Sequence, residues 1–98
     1  MRIRFNSMDY STDLLQKIKE LASKLTPVTE ISVLLDIPSN VLRDEIATES
    51  SAVHRAFYSG MAEAALEIRE RDIELARAGS PAAADALRFH LRKMLNEL

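Results

Sequence analysis

Cysteine is absent from the 98-residue chain, which excludes disulfides and thiolate chemistry. A zinc site would have to be assembled from the two histidines and carboxylates alone. Two glycines and three prolines leave few forced breaks in regular structure and no material for a glycine-rich phosphate loop. No apolar run approaches the ~20 residues that span a bilayer, and the opening MRIRFNSMDY lacks the apolar centre of a signal peptide. The expectation is a cytoplasmic protein with no membrane, metal or cofactor partner. What is present is ordinary: 47% apolar residues, rich in Ala and Leu. This composition predicts one all-α domain over 1–98.

Local signals divide that domain into a head of three short helices, 1–50, and a helical hairpin, 51–98. Ser11 or Asp9 is placed to cap a first helix running to about Leu25, with Leu14, Leu15, Ile18, Leu21, Ala22 and Leu25 at three- and four-residue steps. Thr26-Pro27 restarts the chain, with Thr26 as acceptor for the next helix's free amides. That second helix reaches about Leu35. Asp36-Ile37-Pro38-Ser39 is a turn, and Ser39 or Asn40 caps a third helix ending near Thr48, with Val41, Leu42 and Ile46 inward.

Thr29 to Ile46 has the spacing of a helix-turn-helix, in which two steeply crossing helices need a small residue at their approach and a tight turn between them. Ser32 takes the small position, and Ile37 and Leu42 take the apolar ones. Asp36 stands where glycine is common; its side chain tolerates positive φ at some cost. The third helix would present Ser39, Asn40, Arg43, Asp44 and Thr48, of which Arg43 and Asn40 carry donors suited to guanine and adenine edges. The sign of the charge opposes this, because 26–50 holds one arginine against five carboxylates. Compensation is available from Arg2, Arg4, Lys17, Lys19 and Lys24, and from Arg55 just beyond the motif. Ser39, Asn40, Arg43, Lys24 and Arg55 are the candidate DNA-binding residues.

From Ser51 to Ala78 only Gly60 interrupts a helix of ~40 Å. Glu67 with Arg71, and Glu74 with Arg77, are expected to pair on its surface. Gly79-Ser80-Pro81 ends that helix and starts another, to about Asn96, which must fold back antiparallel. Apolar positions outnumber one contact face. Phe57, Met61, Ala64, Ile68 and Leu75 form one stripe of the long helix, and Ala62, Leu66 and Ile73 form another. Ala84, Leu87, Leu91, Met94 and Leu98 form a seam on the last helix, with Ala82, Ala86 and Phe89 off it. The surplus predicts a homo-oligomer, with Gly60, Leu66, Ile73 and Phe89 as candidate interface residues.

The run Tyr58-Ser59-Gly60-Met61-Ala62-Glu63-Ala64, followed after charged helix by Ala76-Arg77-Ala78-Gly79-Ser80-Pro81-Ala82-Ala83, resembles the pattern of phage small terminase subunits and related helix-turn-helix proteins of phages and mobile elements. The resemblance covers roughly residues 26–95. It implies a non-enzymatic subunit that recognises double-stranded DNA, oligomerises through its hairpin and hands DNA to a motor subunit. Catalysis has no support in the residues themselves: His54 and His90 have no Ser, Asp or Glu at triad or metal spacing, and Glu63, Glu67, Glu70 and Glu74 have arginines interleaved and no Glu-x-x-His partner. Two function classes remain: a DNA-binding oligomer, or a helical adaptor that keeps the helix-turn-helix fold and binds a protein.

Overall fold

The computed structural model describes residues 10–98, in which five helices and no strand are found: α1 (Thr12–Ser23), α2 (Val28–Leu35), α3 (Ser39–Ala47), α4 (Ala52–Arg77) and α5 (Pro81–Asn96). None is long and apolar enough to cross a membrane. Contacts group the chain into two units, Met1–Ala64 and Ala65–Leu98, divided inside α4. The head therefore extends beyond residue 50 and takes in the first half of the long helix, because Val53, Ala56 and Phe57 complete its core.

In the first unit Ile18, Ile31, Leu42 and Val53 are fully buried, one from each of α1 to α4. Each contributes about 1.5–3 kcal/mol by leaving water. Leu14, Leu15, Leu21, Val28, Leu35 and Val41 pack around them. Ser11 caps α1, its Oγ accepting from the Leu14 N–H at 3.1 Å; Asp9, like Arg2 and Arg4, lies outside the described residues. Thr26 does not cap α2, and neither Ser39 nor Asn40 caps α3. Pro27 and Pro38 hold the N-cap positions, with extended ψ of 151° and 133°, and neither helix start has a side-chain hydrogen bond. Proline's fixed φ suits the non-helical cap backbone, which leaves Thr26 one residue before the cap and Ser39 one residue after it.

Helix ends use left-handed residues of unequal cost. After α1, Leu25 has φ 62°, and the Thr26 N–H reaches back to Leu21 O at 3.1 Å. Sequence periodicity placed Leu25 in the core, yet it is 63% exposed. The residue before a proline is pushed out of the helical region, so the chain must leave α1 before Thr26 and turns at Leu25. A branched side chain there costs about 1 kcal/mol that glycine would not. Leu25→Gly should therefore stabilise the protein by up to about 1 kcal/mol, read as a higher urea midpoint with unchanged slope.

In the second unit the 65–77 part of α4 and α5 lie side by side, antiparallel. The junction follows the expected chemistry closely. Gly79 (φ 102°) sits just past α4, the Ser80 N–H bonds to Leu75 O and the Gly79 N–H to Ala76 O, both at 3.0 Å. Ser80 Oγ then accepts from the Ala83 N–H at 3.2 Å, and Pro81 opens α5. His90 Nε2 meets Asp72 Oδ2 at 3.3 Å and ties the helices in register. The surface pairs Glu67 with Arg71 and Glu74 with Arg77 do not close to ion-pair distance; the ion pair within α5 joins Arg88 to Asp85 at 2.8 Å.

The internal seam of this unit differs from the expected one. Ala83 is its one buried residue, flanked by half-buried Ala84, Ala86, Leu87 and His90. Leu91, Met94 and Leu98 are exposed, as are Ile68 and Leu75 on α4. Two helices touch along one face each, and here that face is lined by small residues, so the larger apolar side chains fall on the flanks.

Candidate nucleic-acid interface

The α2–α3 pair is built from the turn outward. Asp36 takes φ 56°, ψ 47°, its side chain exposed, and the Ile37 N–H closes the turn on Ser32 O at 3.0 Å. Ile37 drops into the core. Ser32 is buried at the helix approach and satisfies its hydroxyl by donating to Thr29 O at 2.7 Å. A larger residue there would hold α2 off its neighbours, which is why the small position matters.

Two contacts fix α3 against the start of α4, and a third caps that start. Ser51 Oγ donates to Glu45 Oε1 at 2.6 Å and accepts from the Val53 N–H at 3.1 Å. His54 Nδ1 lies 2.6 Å from Ile46 O; a carbonyl can only accept, so this nitrogen carries the proton. The bond satisfies one of the carbonyls left over at the end of α3. Tyr58 lies beside the same ring, centroids 4.5 Å apart. Nothing local in the sequence signals the bond of His54 to a residue eight positions earlier.

With Leu42 and Ile46 inward and Glu45 turned to Ser51, the outer face of α3 consists of Asn40, Arg43, Asp44 and Ala47, all exposed. One cation and one anion stand on it, so the −4 formal charge of 26–50 does not concentrate there. Ser39 is half-buried, and Thr48 gives its hydroxyl to Asp44 O at 2.8 Å, so both expected contacts are less available than Asn40 and Arg43. Ala47, not among the expected residues, joins the face one turn beyond Arg43.

Of the other candidate cations, Arg55 and Lys19 border one shallow groove of about 300 Å³, with Thr12, Gln16 and Ser59. Lys19 Nζ also meets Glu63 at 3.4 Å, and Lys17 pairs with Asp13 at 3.6 Å. Lys24 is exposed just after α1, and neither it nor Arg43 borders that groove. The structure thus brings Arg55 and Lys19 to one groove, whose lining includes neither Arg43 nor Lys24.

Among the interface candidates, Gly60 is corrected. It is buried within the head, where a Cβ would overlap Lys19 O and lie 2.9 Å from Ala22 Cβ, so its small size serves the α1–α4 contact inside one chain. Leu66, Ile73 and Phe89 stay exposed in the second unit. Among the described residues no group of His, Asp or Glu is arranged to hold a metal ion. Comparison with protein-family models, with curated proteins and with solved structures returned no match to this chain.

Proposed function

We propose that this chain is a non-enzymatic, cytoplasmic DNA-recognition protein that works as an assembly of copies, in the manner of phage small terminase subunits and related helix-turn-helix proteins. In this reading α3 enters the major groove, Arg43 and Asn40 address base edges, and Arg55 with Lys19 meets the phosphate backbone. The observation that carries it is the outer face of α3, which is exposed and near neutral while the rest of its surroundings is acidic. Support also comes from the start of α3, whose first amides have no side-chain acceptor and whose first turn carries no carboxylate, so that it suits an anion such as phosphate. A motor subunit is the protein partner that such a role calls for.

Self-association rests on the second unit. Nine large apolar side chains there are exposed: Leu66, Ile68, Ile73, Leu75, Phe89, Leu91, Met94, Leu95 and Leu98. An isolated pair of short helices with this surface is marginal in water. A second reading, a protein-binding adaptor on the same fold, is favoured by the acidity of 26–50. Arg43→Ala separates the two. It should weaken duplex binding by about 1–3 kcal/mol in a fluorescence-anisotropy titration if the side chain reads a base; unchanged affinity would remove α3 as the reader.

A further inference from the structure

The head uses only part of the apolar surface of α2. Ile31 and Ser32 are buried and Val28 and Leu35 pack on the core, yet Val33 and Leu34 are 80% and 63% exposed. With Thr29 and Glu30 they line a shallow depression. Two large apolar side chains left open side by side on a short helix suit a covered environment. DNA does not provide that cover, because the depression is apolar and its one charge, Glu30, repels phosphate.

A surface of complementary character exists on the same chain. α5 exposes Phe89, Leu91 and Leu95 and carries Arg92 and Lys93 free of ion pairs among the described residues, with Arg88 paired to Asp85 and Glu97 at the helix end. It offers apolar side chains beside the positive Arg92 and Lys93, whereas α2 offers apolar side chains beside the exposed carboxylates of Glu30 and Asp36. We propose that the Val33–Leu34 face of one copy docks on α5 of a second copy, head to tail. Opposite charge selects this pairing over head on head or α5 on α5, where like charges would face each other. Because the two surfaces differ, each added copy leaves one of each open until a ring closes. The contact rests on the self-association reading and names the surfaces that meet.

Two variants test it. The head variant is Val33→Asp with Leu34→Asp; the tail variant is Phe89→Asp with Arg92→Glu. All four side chains are exposed, so circular dichroism should show wild-type helix content in both. Sedimentation should show each variant alone assembling at least tenfold more weakly than wild type. An equal mixture should regain a two-chain species, since the intact tail of the head variant meets the intact head of the tail variant. A head variant that assembles like wild type would overturn the head-to-tail contact while leaving self-association standing, as would a mixture that regains nothing. Wild-type protein that sediments as a single 11.0 kDa chain would overturn both.

Discussion

Gly60→Ala should destabilise the head by about 2 kcal/mol, although the same change in an open helix would stabilise it by up to about 1 kcal/mol. The difference lies in what the new methyl meets. Its Cβ would overlap the carbonyl oxygen of Lys19 and crowd Ala22 Cβ at 2.9 Å. A carbonyl cannot rotate away like a side chain, so α1 must move off α4, and that shift loosens Ile18 against Val53 in the shared core. For a domain of this size the loss corresponds to a melting temperature lower by about 8–16 °C. Thermal denaturation followed by circular dichroism reads it directly; a rise in melting temperature would mean that the two helices do not approach so closely.

Under the self-association proposed above, Leu66→Glu combined with Ile73→Glu should lower the mass in solution and leave α5 poorly protected from amide exchange, while the head keeps its protection. Leu66 and Ile73 lie seven residues apart on one face of α4 and are 50% and 38% exposed, so they do not belong to a core within one chain. Completing the burial of such side chains is worth about 1 kcal/mol or more each, and Ala83 is the one buried residue of the 65–98 unit. A charge at both positions makes that burial prohibitive. Mass in solution and exchange rates measured on one sample separate the outcomes. Unaltered mass would place the interface elsewhere, and loss of head protection would show that these residues also support the head.

How much could be read in advance depended on whether the determinant was local. Gly79-Ser80-Pro81 was legible because three devices of backbone chemistry coincide in three residues, and each acts on its immediate neighbours. The α2–α3 turn was legible for the same reason, with Ser32, Asp36 and Ile37 in their expected places. Leu25 was misplaced because its apolar period continues the stripe of α1, while the proline two residues on dictates the backbone. Gly60, expected at an interface between copies, marks a close helix approach whose partner is α1 of the same chain.

The candidate interface was legible in part. Arg43 and Asn40 were found on the outer face of α3, whereas the charge of that face was not deducible from composition. Glu45 is turned to Ser51, and Glu30, Asp36 and Glu49 lie off the helix, so a strongly acidic segment presents a nearly neutral surface. Val33 and Leu34 were not legible, since the periodicity of an eight-residue helix does not say how many of its faces have neighbours, and the packing leaves both exposed.

Titrating a labelled random-sequence duplex by fluorescence anisotropy at low and at moderate salt, with the mass in solution determined on the same sample, tests DNA recognition by an assembly most directly. Binding by a species larger than one chain, with affinity falling steeply as salt rises, is the predicted result. Absence of binding at low salt, where attraction to phosphate is greatest, would contradict it and leave the α2–α3 pair as a scaffold for a protein partner.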